Sequence, residues 1–265
     1  MLNIIVDQTR QAVALAKQNK PLVVIEQDIV AGKYAFSTAI KKRDWTLIAE
    51  CKLASPAKGT LCAGYSVPEL AGVFAAHGAA ALSVHTNAAF RGSIDDIARV
   101  KQTIDLPVLC KEFILDEYQL YAARAAGADA VLLIAAILTA DELVRFIGIA
   151  ADLGMDALVE VHTLPELQQV QQTTAKLIGI NNRNLETFTT SIEQTFALLP
   201  YYEPGGRLLI SESGITARQD ALRLKQAGVN GILVGEGLVT AGDIAAKTRE
   251  LALLSAKEEG RDNNA

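Results

Sequence analysis

Four segments of this chain share one pattern: a glycine, two variable residues, a small residue and an apolar run. They are Gly78-Ala-Ala-Ala-Leu-Ser-Val84, Gly127-Ala-Asp-Ala-Val-Leu-Leu133, Gly154-Met-Asp-Ala-Leu-Val-Glu160 and Gly228-Val-Asn-Gly-Ile-Leu-Val234, and each follows residues at helical apolar spacing. Glycine tolerates the left-handed conformation just past a helix end, so each copy predicts a helix, its C-terminal cap and then a buried strand. Further apolar runs at Trp45 to Glu50, Leu106 to Cys110, Leu177 to Ile180 and Arg207 to Ile210 bring the strand candidates to eight. Helical patterns such as 116–126, 140–153 and 217–227 separate them. Continuously apolar strands alternating with amphipathic helices imply a parallel sheet covered by helices. Eight such units predict an α/β fold closed into a (β/α)8 TIM barrel. The competing open, doubly wound sheet lacks support, because no Gly-x-Gly-x-x-Gly follows the first strand.

The chain has 265 residues, half of them hydrophobic, enough for one sizeable core. Before the barrel, apolar residues from Asp7 to Lys20 fall at helical spacing until Pro21 stops them. The expected organisation is a helical extension over 1–44 packed on the barrel, the barrel over 45–256, and a polar, flexible tail over 257–265. A net charge of -5 offers no basic footprint for nucleic acid or for an anionic membrane. Asp7 and Arg10 interrupt the apolar start before a signal peptide or membrane span could form. Cys51, Cys62 and Cys110 have neither the number nor the spacing of a disulfide framework or a zinc site, which fits a reducing cytoplasm. A monomer or weak homo-oligomer is expected.

Catalytic groups of such barrels sit at the C-terminal strand ends and in the loops after them. Here those ends are polar: Glu50 and Lys52 after the first strand, Lys111 and Glu112 after the third, Glu160 and His162 after the fifth, Asn181 and Arg183 after the sixth, Glu212 after the seventh. One such residue could belong to a structural ion-pair lattice at the rim. The coincidence across strands favours a substrate site with opposed acids and bases. Ser213-Gly214 ahead of a helix expected from Thr216, and Gly235-Glu236-Gly237 ahead of another, would offer backbone N–H groups where barrels commonly hold phosphate. A phosphorylated small molecule is the expected partner. No metal and no organic cofactor is assigned, since no second ligand stands at suitable spacing from His77 or His85.

At Glu50-Cys-Lys-Leu-Ala-Ser-Pro-Ala-Lys-Gly59 the chain resembles the indole-3-glycerol-phosphate synthase family. The resemblance continues in order through 107–119, 123–134, 158–162, 178–185, 211–215 and 234–236. It implies a carboxy-lyase of tryptophan biosynthesis that closes the pyrrole ring of 1-(2-carboxyphenylamino)-1-deoxyribulose 5-phosphate with loss of carbon dioxide and water. It also implies roles. Lys111 is the general acid and Glu160 the base; Lys52 holds the aromatic carboxylate with Glu50 orienting it; Asn181 bonds the sugar chain; Glu212 and Arg183 complete the charge network. Ser55, Ser213, Gly214, Gly235 and Glu236 match the phosphate contacts, and Phe90, Phe113, Leu132 and Leu185 the apolar wall.

Departures concentrate after the second strand, where the family's Ser-Val-Leu-Thr-Asp reads Ser83-Val84-His85-Thr86-Asn87. Ala57 replaces a serine and Glu112 the usual aspartate. Substrate affinity or identity could therefore differ. A paralogous barrel acting on another sugar phosphate and a non-catalytic binding barrel are the alternatives. The second is disfavoured by the joint presence of Glu50, Lys52, Lys111, Glu160 and Asn181.

Overall fold

The structure, a computed structural model, describes residues 2–27, 29–184, 187 and 189–254; Leu185 and the tail at 257–265 lie outside the described residues. Eight parallel strands close a barrel: Thr46–Cys51, Ala81–His85, Val108–Lys111, Ala130–Ile134, Asp156–Val161, Leu177–Asn181, Leu208–Glu212 and Gly231–Val234, each paired to the next and the last to the first. The four repeated glycines all have positive φ, from 68° to 100°, directly ahead of their strands. An L side chain would be strained there, so glycine both ends the helix and aims the strand.

Alternation along each strand sorts the side chains into two cores. Outward residues such as Leu47, Leu82 and Val159 join the cluster between strands and helices. Inward residues such as Ile48, Leu109, Leu158 and Ile210 fill the barrel, where Phe36 and Ile40 of the helix Ala35–Lys41 join them. That helix is pinned from inside, because the Ser37 backbone N–H donates to Asp156 Oδ2 at 2.8 Å.

The first helix, Leu2–Asn19, buries Ile5, Val6, Thr9 and Val13. Lys17 pairs with Asp116 at 2.6 Å, and the Tyr118 hydroxyl donates to the carbonyls of Ala16 and Lys20. These contacts tie it to the helix Glu117–Ala125 that follows the third strand. Among the described residues no helix is long and apolar enough to cross a membrane.

Candidate active site

The period of two also explains how an apolar barrel ends in charges. Two residues beyond inward-facing Ile48 stands Glu50; beyond Leu109, Lys111; beyond Leu158, Glu160; and beyond Ile210, Glu212. All four charged residues line one cavity of about 610 Å³ at the C-terminal end of the barrel, of a size suited to a drug-sized molecule. Lys52, Asn181, Arg183, Ser55, Phe90, Phe113 and Leu132 also line it, as do Ser213, Gly214, Gly235 and Glu236. The structure thus brings together every expected site residue that it describes.

Lys111 is the hub. Its Nζ donates to Glu160 Oε2 at 3.0 Å and to Glu212 Oε2 at 2.8 Å, with its side chain only 13% exposed. Burial alone would make the ammonium easier to deprotonate, but Glu160 and Glu212 outweigh burial and raise its pKa. Glu160 is pushed up by burial and pulled further down by Lys111 and His162, so it stays ionised. His162 lies between Glu160 at 3.4 Å and Glu166 at 3.5 Å. Burial opposes its charge, yet those carboxylates raise its pKa. Glu50 follows the same logic: burial disfavours its charge, but His85 and Lys52 hold it well below the usual carboxylate range.

Glu212 goes the other way. Burial beside Glu160 pushes it from an ordinary 4.5 up to about 7 despite Lys111. Among the described residues its Oε1 makes no hydrogen bond, while Oε2 carries the contact to Lys111. Because folding raises this proton affinity, the stabilisation it brings is complete below about 4.5 and lost as pH rises through about 7. Glu50 and Glu160 act oppositely, their contribution fading as pH falls. A Glu212→Gln variant lacks the titration. Its melting temperature relative to the parent should therefore rise by several degrees between about pH 5 and about pH 8. Thermal denaturation at the two pH values checks this; a constant difference means that Glu212 keeps one protonation state across the range.

Two glycines make room for these acids. A Cβ on Gly179 would overlap Glu212 Oε1, and one on Gly235 would overlap Glu50 Oε1. Both positions lie on the barrel wall, and the missing Cβ leaves the space that the carboxylate fills.

At the seventh and eighth strand ends the backbone lines the cavity where the sequence led one to expect an anion cradle. Ser213 and Gly214 have successive positive φ values of 66° and 75°. A non-glycine residue held there is uncommon and marks a site whose surroundings enforce it. The enforcing group is Asn182, which donates to the Ser213 carbonyl and to Ser211 Oγ at 2.9 Å, while Thr195 Oγ1 donates back to Asn182. The short helix Glu236–Val239 begins beside it, with the Leu238 and Val239 N–H groups bonded to the Gly235 carbonyl.

One expectation needs correction. The helix after the seventh strand starts at Arg218, not Thr216, and the N–H groups of Thr216 and Ala217 are taken by Asp220 Oδ2. That helix end caps itself and leaves the cradle to Ser213-Gly214 and to 235–237. The Glu236 side chain is not idle either. It pairs with Lys58 and lies 3.8 Å from Arg183, so it joins the loops after the first, sixth and eighth strands over the cradle.

Sequence reasoning noted His85 as a departure but gave it no place in the site. Inward positions of the second strand run Ala81, Ser83, His85, and that alternation is the signal that points the imidazole into the cavity. The ring stacks on Phe90 with centroids 4.4 Å apart, and Phe90 faces Phe113 at 6.3 Å. Leu2 and Ile5 of the first helix, also missed, line the same cavity. Two departures noted above meet: Asn87 Nδ2 donates to Glu112 Oε1 at 2.7 Å and to Thr9 Oγ1 at 3.1 Å. An amide at 87 suits the longer acid at 112, where two carboxylates would repel, and it ties the loop to the first helix.

A family model described as indole-3-glycerol phosphate synthase matches residues 2–251. A protein named indole-3-glycerol phosphate synthase from Desulforamulus reducens is 50% identical over 215 residues, covering 81% of each chain. Its namesake from Albidiferax ferrireducens is 44% identical over 261 residues, covering 95% of this chain and 97% of the relative. Among solved structures, 3-hexulose-6-phosphate synthase from Salmonella typhimurium superposes with a TM-score of 0.61 at 17% identity, covering 78% of this chain and 97% of that one; this likeness concerns the fold.

Proposed function

The chain belongs to the indole-3-glycerol phosphate synthase family, and on that premise we propose how its residues divide the reaction. The activity is the family's: a decarboxylating lyase of tryptophan biosynthesis that converts 1-(2-carboxyphenylamino)-1-deoxyribulose 5-phosphate to indole-3-glycerol phosphate, carbon dioxide and water.

The observation that carries the assignment of roles is the Lys111 ammonium, hydrogen-bonded to Glu160 and Glu212 in the floor of one cavity. The ring carbon bearing the carboxylate attacks the ketone carbon, and the carbonyl electrons move to oxygen. Lys111 protonates that oxygen. An alkoxide is a stronger base than an amine, so the transfer runs downhill even from a lysine whose pKa is raised. The C–CO2 bond then breaks and its electrons restore the aromatic ring. Glu160 removes a proton from the carbon next to nitrogen as the new hydroxyl leaves as water, taking the one proton that the overall reaction draws from solvent. Glu160 lies 3.0 Å from Lys111, so the proton it gains can return to the amine. Net consumption of one proton balances the carboxylate lost as carbon dioxide.

Lys52 holds the substrate carboxylate, oriented by Glu50 at 3.6 Å. Asn181 bonds the sugar chain, and Glu212 and Arg183 complete the charge network. The phosphate rests on Ser55, Ser213, Gly214, Gly235 and Glu236, mainly on backbone N–H groups. Phe90, Phe113 and Leu132 flank the aromatic ring and limit water access. The three free thiols support a cytoplasmic enzyme, and the reading includes a monomer or weak homo-oligomer.

Purified protein given the carboxyphenylamino substrate should develop indole fluorescence, and the gene should restore growth to a tryptophan auxotroph lacking the synthase. Soluble expression without either result would overturn the reading.

A further inference from the structure

We infer that His85 is a positioning residue of this site, which takes over Glu50 so that the Lys52 ammonium is released to the substrate's carboxylate. The inference rests on the role proposed for Lys52.

His85 Nε2 lies 3.2 Å from Glu50 Oε1, and Lys52 Nζ lies 3.6 Å from the same oxygen. The imidazole and the ammonium therefore compete for one oxygen atom. Gly235 packs against that oxygen, where any Cβ would overlap it, so the carboxylate keeps this one seat between both partners. Glu50 is 4% exposed, and a buried carboxylate stripped of its partner is strongly destabilising. A site with Lys52 as its sole close partner would thus hold that lysine back when the substrate arrives.

His85 removes the conflict. Its ring is fixed flat against Phe90, at an interplanar angle of 6°, on a strand position whose register partner is Lys111. Among the described residues Nε2 makes no aligned hydrogen bond, although it stands 3.2 Å from Glu50 Oε1. A small turn of the carboxylate supplies that bond as Lys52 leaves. Lys52 Nζ already stands 5.5 Å over the Phe90 ring, beside the wall proposed for the aromatic acid.

The groups nearest to His85 also define what removing it does. Leucine at 85 would keep an apolar contact with Phe90 but return Glu50 wholly to Lys52. Steady-state kinetics of the purified enzyme with its carboxyphenylamino substrate test this in four variants. His85→Leu should raise KM about tenfold with a smaller change in kcat. His85→Gln, whose amide can still donate to Glu50, should recover KM to within about threefold of the parent. Lys52→Ala should itself raise KM, and adding His85→Leu to it should raise KM no more than about twofold further, because the two changes remove one shared interaction. An unchanged KM in His85→Leu, an effect confined to kcat, or full additivity in the double variant would overturn the inference and leave the role of Lys52 standing. An unchanged KM in Lys52→Ala would overturn that role, and the inference with it.

Discussion

Replacing Lys111 with methionine should lower kcat by roughly 10³- to 10⁴-fold while the protein still binds a reduced, non-cyclising substrate analogue. Methionine keeps most of the side-chain volume, so the cavity floor stays filled and the loss reports chemistry. Two effects combine. The ketone oxygen loses its proton donor, and Glu160 and Glu212 lose the cation they share at 3.0 and 2.8 Å. Two neighbouring carboxylates without that cation cannot both stay ionised, so one takes up a proton near neutral pH. If that one is Glu160, the base for water loss is disabled as well. Lys111→Arg separates the contributions. It retains the charge, so Glu160 stays ionised as in the parent, but guanidinium does not give up its proton in this pH range. Single-turnover measurements should show both variants blocked before carbon dioxide release. Turnover within about tenfold of the parent in Lys111→Met would remove Lys111 as the acid.

The barrel could be read from sequence because its information is local. Gly78, Gly127, Gly154 and Gly228 each sit where only a left-handed residue joins helix to strand, and that constraint is written in one position. The charged rim was legible for a related reason, since a buried run that ends abruptly in Glu, Lys or Asn needs partners that the neighbouring strands must supply. Features that depend on contacts across the chain were not legible. Phe36 and Ile40 look like any amphipathic face, and only barrel closure makes them part of its interior. The pairing of Ala54–Ser55 with Gly59–Thr60 is too short to leave a pattern. Thr216 looked like a helix start until Asp220 was seen to occupy the N–H groups ahead of it. His85 was noticed as a departure, but its significance lies in Glu50 on a neighbouring strand, which no local reading connects to it.

A methyl group added to Gly179 should cost about 10² in kcat/KM, although residue 179 touches neither the reacting atoms nor the phosphate cradle. The new Cβ would overlap Glu212 Oε1 and stand 3.2 Å from Cδ, with Leu158 Cδ1 at 3.4 Å on its other side. Glu212 is 1% exposed and hemmed in by the barrel wall, so its carboxylate must tilt and draw Oε2 away from Lys111. The ammonium then swings toward Glu160, off the line needed to reach the ketone oxygen, and displacements of about 1 Å at such a group carry penalties of this size. Overpacking should also cost about 1–3 kcal/mol of stability, so denaturant melts must accompany the kinetics. The discriminating experiment is a second change. Glu212→Asp withdraws the carboxylate by one methylene and vacates the volume that the added methyl would fill, so the double variant should be more active than Gly179→Ala alone, although Glu212→Asp by itself impairs the parent. Additive losses in the double variant would show that Gly179 acts on the barrel wall and not through the seat of Glu212.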